Sequence, residues 1–292
     1  MTDFVQLIVS GVQNGMAYAL VGLALVLIFQ TTRVLNFAQG TMSSIGGFVA
    51  YDVIVIYSNS WILGAIAAVL AGILAAALVE RVAIRPLLGS PHLSLVIATV
   101  AVDSMLSNAI QLKWGADINN LPPPLPGSDF VFNDVYFSRT YLVIIVVTVV
   151  LLGIMAMLLK RTTLGLTMKA FADDQFAAEL QGISPGKMSA MAWMLAGAIG
   201  GLTGILFGPL LYIQLGYMNP VFIYGFTAAV VGGLISQVGA IAGGIVLGVV
   251  EVMAIAYAPP GIASMLPLLA ILAVLLLRPA GLVSRSGIER NV

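Results

Sequence analysis

The chain has 292 residues, 60% of them hydrophobic and 8% charged, with a mean hydropathy of +1.08. A soluble domain carries about a quarter charged residues, so this composition describes a chain solvated mainly by lipid. Zero formal net charge argues against a nucleic-acid partner, the lack of cysteine excludes disulfides and thiolate metal sites, and a single histidine, His92, leaves no histidine-based metal cluster.

Apolar runs long enough to cross roughly 30 Å of hydrocarbon, at about 1.5 Å per helical residue, recur at 4–29, 40–57, 61–79, 92–111, 141–159, 188–212, 220–236, 240–257 and 261–277. They predict an all-α polytopic membrane protein of about nine spans, forming one transmembrane domain over 1–292. The range is eight to ten, because 30–57 and 213–240 contain breaks that allow re-entrant segments. The first run follows Asp3 rather than a basic stretch and is too long for a cleaved leader, so it is expected to stay as a signal-anchor.

A polar interruption, Thr31 to Thr41, separates the first two runs. Irregular backbone at membrane depth is tolerated only where protein or a water-filled cavity satisfies it, which makes Asn36 and Gln39 candidates for a gate or a path lining. The alternative is an interfacial turn capped by Asn and Thr. A comparable break, Gln214 to Pro220, precedes the seventh run. Asp103, beside Ser104, Ser107 and Asn108, lies mid-way along the fourth run, and Glu251 lies in the eighth. A charge at that depth costs about 2.5–3.5 kcal/mol, so each needs a partner or a role. Pairing with Arg33 or another helix, and contact with a solute, both stay open for Asp103, Asn108 and Glu251. The loop 112–140 carries Leu121-Pro122-Pro123-Pro124-Leu125-Pro126-Gly127 with Asp117, Asp129 and Asp134. It predicts a stiff, non-helical segment, either a rigid connector or the seat of an extracytoplasmic partner.

The polar island 160–187 holds Lys160, Arg161, Lys169 and Lys187 with Asp173, Asp174 and Glu179 between long apolar runs. Its centre predicts one short helix, with Asp173 and Asp174 at the N-terminus, where backbone N–H groups attract negative charge, and Gly182 at the C′ position. Phe171, Phe176, Ala177, Ala178 and Leu180 supply small and apolar contact surface. Further on, Gly197, Gly201 and Gly204, then Gly243 and Gly248, form small-residue steps of the kind that let helices approach closely in lipid, predicting a tight bundle. With 160–187 inside, strict alternation puts ten of the twelve basic residues on the cytoplasmic side, leaving Lys113 and Arg139 outside. Retention of positive loops then predicts the N-terminus out and the C-terminus in. No nucleotide-binding loop, zincin motif or nucleophile elbow is present, so an enzyme is not expected.

Several stretches together resemble the permease family of branched-chain amino acid ABC importers, the Liv type. They are Asn14-Gly15-Met16-Ala17-Tyr18-Ala19-Leu20 with Asn36-Phe37-Ala38-Gln39-Gly40, the loop phrase Phe176-Ala177-Ala178-Glu179-Leu180-Gln181-Gly182, the run Ala228 to Glu251, and Leu277-Arg278-Pro279-Ala280-Gly281-Leu282. The loop phrase is similar to the EAA-x-x-x-G coupling motif, with Phe176 where the acid stands. The chain resembles the shorter of the two permease types that such systems pair. The resemblance implies a multi-pass subunit of the bacterial inner membrane that forms the translocation path for hydrophobic amino acids. It further implies a second permease (copy or paralogue), two ATPase subunits and an extracytoplasmic solute-binding protein. ATP and Mg²⁺ would sit on the ATPases, and this chain would hold no cofactor of its own. In this scheme Phe171, Asp173, Asp174, Phe176, Ala177, Ala178, Glu179 and Gly182 serve ATPase coupling, with Lys160 and Arg161 as further polar contacts. Relatives that carry urea, short amides or aromatic acids give the alternative solutes. A stand-alone channel or ion-driven carrier, with Asp103 and Glu251 as ion sites, is the alternative from another class.

Overall fold

A computed structural model describes residues 2–127, 130–132, 135–259, 261–278 and 281–283. Its helices in chain order are α1 (Thr2–Thr32), α2 (Gln39–Tyr51), α3 (Trp61–Val79), α4 (His92–Trp114), α5 (Arg139–Arg161), α6 (Thr163–Asp173), α7 (Gln175–Leu180), α8 (Pro185–Leu211), α9 (Asn219–Gly232), α10 (Gln237–Tyr257) and α11 (Ile262–Leu277). π-helical turns prolong α2 through Asp52–Ser58 and α3 through Glu80–Ile84. Among the described residues, seven of the long helical segments have the length and apolarity to cross a membrane, while α9 and α11 are apolar but shorter. The architecture is therefore an all-helical multi-pass membrane bundle. One element departs from the expected irregular loop: β1 (Phe130–Phe132) and β2 (Val135–Phe137) form an antiparallel hairpin with Val131 opposite Tyr136. Asp129 and Asp134 lie outside the described residues, as do Pro279, Ala280 and the basic residues Arg285 and Arg290 of the tail.

Helix α3 shows how these sequences fold in lipid. Gly64, Ala68, Gly72 and Ala76 are buried, whereas Ile62, Ile66, Leu70, Leu74 and Leu78 are exposed. Both sets recur every four residues, so small residues form the bundle-facing stripe and large aliphatics the outer one. This order suits hydrocarbon, which exerts no hydrophobic drive between helices and leaves close backbone approach to supply the packing.

The axis of the bundle is α1, buried on all sides from Met16 to Ile28. It supplies side chains to both core clusters, and a helix apolar all round belongs in such a position. Around it the two halves of the chain repeat one arrangement. Helix α10 packs along α1 as α3 packs along α8, and α9 meets α1 as α2 meets α8. Within each half, α2 lies on α3 and α9 on α10, with α1 and α8 in contact between them. The breaks correspond too. Arg33 (φ 57°) ends α1 and Tyr212 (φ 55°) ends α8, both in the left-handed region that ordinary residues seldom adopt. Each break sends residues into the protein: Val34 and Asn36 in the first and Ile213, Tyr217 and Met218 in the second are at most 4% exposed, while Tyr212, Gln214 and Leu215 of the second stay exposed. Each half then restarts through a serine cap: the backbone N–H of Leu63 donates to Ser60 Oγ, and that of Gly239 to Ser236 Oγ.

The glycine steps form the seams between these elements. A Cβ on Gly46 would lie 2.5 Å from Gly201 Cα, and one on Gly15 would lie 2.6 Å from Ile245 Cα. Gly197 and Gly201 approach the α3 backbone, Gly204 approaches α2, Gly243 approaches α9 and Gly248 approaches α1. No side chain fits at these crossings without moving backbone.

Candidate functional site

The polar island folds as two helices rather than one. Thr162 caps α6, accepting from Gly165 N–H at 3.2 Å, and Asp174 caps α7, accepting from Ala177 N–H at 2.9 Å. Asp173 is thus the last residue of α6 and does not open a helix, because the Thr162 cap starts helix ten residues upstream of the expected site. Gly182 does stand at C′ with φ 82°. Its N–H reaches the Glu179 carbonyl at 2.9 Å, and the Ile183 N–H reaches the Ala178 carbonyl at 3.0 Å, a complete Schellman closure. Of the expected contact residues, Phe171 (3% exposed) and Ala178 (5%) point inward to the cluster around Trp193 and are internal anchors. Phe176 (73% exposed) and Leu180 (72%) stand one turn apart on the free face of α7. Asp174, Ala177 and Glu179 surround them, also exposed.

Polar bonds tie these helices to the bundle. Gln175 Nε2 donates to the Thr31 carbonyl at 3.0 Å, and Arg33 Nη2 donates to the Ala172 carbonyl at 3.3 Å. Arg33 therefore serves the loop and pairs with neither Asp103 nor Glu251. Arg85 joins Glu80, which is 1% exposed, at 3.1 Å, and its Nη2 donates to the Gly186 carbonyl at the start of α8 at 3.0 Å. Behind α6 and α7 lies a cavity of about 520 Å³, walled by the end of α1, the turn before α4 and the first turns of α8.

Asp103 and Glu251 each bridge helices. Asp103 on α4 accepts from Thr41 Oγ1 on α2 at 2.5 Å, with Ser107 near the same hydroxyl. Glu251 on α10 accepts from Tyr18 on α1 at 2.5 Å, and Tyr224 and Asn14 stand beside it. Tyr18 and Tyr224 stack with centroids 4.7 Å apart. Asn36 and Gln39 are 1% and 0% exposed, bonded to each other at 3.1 Å; Gln39 also donates to the Ala196 carbonyl, and Asn36 Oδ1 accepts from Ala38 N–H. Their amides are occupied by a turn and a helix seam. Asn108 differs: it is exposed, and its Nδ2 donates only back along its own helix, to the Ser104 carbonyl at 2.7 Å.

Comparison with known proteins places this geometry. The family model described as branched-chain amino acid transport system / permease component matches residues 7–275. The chain belongs to that family. It is 30% identical over 305 aligned positions to the high-affinity branched-chain amino acid transport system permease protein BraD of Pseudomonas aeruginosa, covering 98% of both chains. The LivH permease protein of Salmonella typhimurium is likewise 30% identical, with 98% of this chain and 97% of that one covered. A probable LivH permease of Methanocaldococcus jannaschii is 29% identical over 242 positions.

In this permease the residues missed by the sequence reading are Glu80, Arg85 and Gln175, which fix the loop and the turn before α4. Glu80 and Arg85 are five apart, and only the π-helical turn between them turns that spacing into a contact. The second missed feature is a stripe. Ala101, Ser104, Asn108 and Gln111 recur at three- and four-residue steps on α4 and all are exposed, so the permease presents amides and a hydroxyl where its composition calls for lipid.

Proposed function

We propose that this chain is the translocation-path subunit of an ABC importer for hydrophobic, branched-chain amino acids in the bacterial inner membrane. In this reading all nine apolar helices cross, with α9 and α11 completed by the irregular segments beside them. The N-terminus lies outside, and α6–α7 face the cytoplasm, where positive loops are retained. The observation that carries the proposal is α7: a rigidly capped helix that offers Phe176 and Leu180 to the aqueous side while Gln175, Arg33 and Phe171 join the same segment to the bundle. Two ATPase subunits closing on ATP would push on this face, with Asp173, Asp174 and Glu179 at its polar rim. The attachment at residues 31–33 would pass the push to α1, the helix around which both halves pack. A solute-binding protein would deliver the amino acid outside, near the hairpin loop.

The path itself runs along the α4 stripe. An exposed Asn in hydrocarbon is costly, so this face needs water and protein rather than lipid. A second permease, facing α4 across a polar cleft, supplies both. Asp103 and Glu251 then act as interhelical links that hold the path walls, and Asn108 is the residue of the expected set placed to meet solute.

The test is uptake into proteoliposomes holding this chain, its co-purifying subunits and the cognate binding protein, with labelled leucine, urea and benzoate offered in parallel. Leucine uptake is expected to require ATP. Uptake of urea or benzoate instead would keep the importer and replace the solute, and uptake without ATP would end the reading. Phe176→Asp and Gly182→Pro are expected to insert normally yet reduce uptake to background while ATP hydrolysis continues. Proline cannot take the φ of 82° found at Gly182.

A further inference from the structure

We propose that the cavity behind α6 and α7 binds a zwitterionic, apolar α-amino acid and thereby locks the coupling helices against the bundle. Its volume of about 520 Å³ falls within the roughly 300–1,000 Å³ typical of small-molecule sites. Three features of the wall specify the ligand. First, Arg33 and Glu179 both line it without neutralising each other. The ion pairs among the described residues are Arg85–Glu80 and Lys113–Asp52. A simple anion would leave Glu179 opposed and a simple cation would leave Arg33 opposed, whereas a ligand with both charges answers both. Second, Ser189 is 2% exposed and its Oγ has no hydrogen-bond partner in the protein. It lines the cavity one turn after Pro185, on the same face of α8. A buried hydroxyl left unpaired costs about 1–3 kcal/mol, which a ligand carboxylate would relieve. Third, Leu88, Leu95 and Phe171 complete an apolar wall for an aliphatic side chain.

The carboxylate then meets Arg33 and Ser189, the ammonium meets Glu179, and the tail lies against Leu95 and Phe171. Such a ligand joins α1, α7 and α8. Coupling passes the push from α7 to α1 and so requires the two to move relative to α8; a ligand that also holds α8 opposes the stroke. The inference rests on the proposed function for one point only: that the cavity faces the side where imported amino acid accumulates, which makes it a product sensor.

The deciding experiment is equilibrium binding of labelled leucine to the purified full-length chain in detergent. Isovalerate (no ammonium), isopentylamine (no carboxylate) and inorganic phosphate serve as competitors. Leucine is expected to bind and to be displaced by unlabelled leucine but not by the three fragments. Arg33→Gln and Glu179→Gln should each weaken binding by about tenfold or more, the worth of a charge-assisted contact. Leu88→Trp, placed in the turn before α4, should fill the cavity and abolish binding without touching the helix seams. Absence of binding, unchanged binding in Leu88→Trp and Ser189→Leu, or equal displacement by phosphate or isovalerate would each overturn the site. Regulation is read separately: leucine loaded inside the reconstituted vesicles should slow ATP-driven leucine uptake several-fold in the wild type. Uptake that ignores internal leucine overturns the sensor and leaves the importer standing. Failure of ATP-driven uptake overturns the importer and leaves the binding assay to judge the cavity.

Discussion

Helices α1–α4 and α8–α11 share one packing plan but present different surfaces. In both halves a long helix ends in a left-handed residue, a short helix follows a partly buried break, and a serine-capped helix packs along the long helix of the other half. The fourth helices diverge. Helix α4 exposes Ser104, Asn108 and Gln111 among the apolar Ile97, Met105 and Leu112, whereas from Met265 to Leu277 every exposed residue of α11 is apolar. The links inside each half differ in kind as well: Thr41 meets the Asp103 carboxylate between α2 and α4, and Tyr224 meets the Ala263 carbonyl between α9 and α11. The backbone plan is therefore symmetric, and the chemistry is not. Close helix packing needs only small residues in register, which both halves supply. A polar cleft needs side chains that lipid penalises, and only α4 exposes a stripe of them.

Seven substitutions, in four groups, break or sharpen this comparison. The largest effect is expected at the seams that both halves share. Gly197→Leu and Gly248→Leu each force a side chain into facing backbone, costing about 1–3 kcal/mol or more, and both should strongly reduce the yield of monodisperse protein in size-exclusion chromatography. If only one of them does, the two seams are not equivalent. Next comes the asymmetry of the fourth helices. Asn108→Leu is expected to keep or raise thermal stability while cutting uptake about tenfold, whereas Leu272→Asn should lower stability with little effect on the remaining uptake per folded molecule. Full uptake by Asn108→Leu would return α4 to the lipid. A smaller effect is expected at the carboxylate links: Thr41→Val removes the hydrogen bond that Asp103 accepts between α2 and α4, worth about 1.5–3 kcal/mol, and should lower the melting temperature more than Tyr18→Phe, because Glu251 keeps Tyr224 and Asn14 beside it. The smallest is Tyr212→Gly. Tyr212 is 54% exposed at φ 55°, and relief of its left-handed backbone should raise stability by about 1 kcal/mol. Destabilisation would mean that the tyrosine side chain holds the break.

The polar segment 160–187 shows where legibility stops. Gly182 at a C′ position followed from the sequence because only the chemistry of a helix end was at issue, and the Schellman bonds are local. The direction of Phe171 and Phe176 did not follow: both are aromatic and five residues apart in one polar segment, yet one is anchored beside Trp193 and the other is free. A bend between α6 and α7 separates them, and that bend depends on the Thr162 and Asp174 caps acting together with Gln175 and Arg33.

By itself the sequence determined that this chain is a lipid-solvated helical bundle, where its long apolar runs lie, which glycines mark close approach, and which family it belongs to. The first three follow from composition, period and local capping, and the family from the resemblance of its motifs; none needs a partner at a distance. Tertiary structure alone decided that the two halves repeat one packing plan, that Asn36 and Gln39 are sealed in a turn while Asn108 is open, and that Arg33 reaches the loop rather than a carboxylate. It also brought Arg33, Glu179 and Ser189 to one cavity across more than 150 positions of sequence. Those outcomes depend on which side chains meet when distant helices close on α1, and no local propensity encodes that meeting.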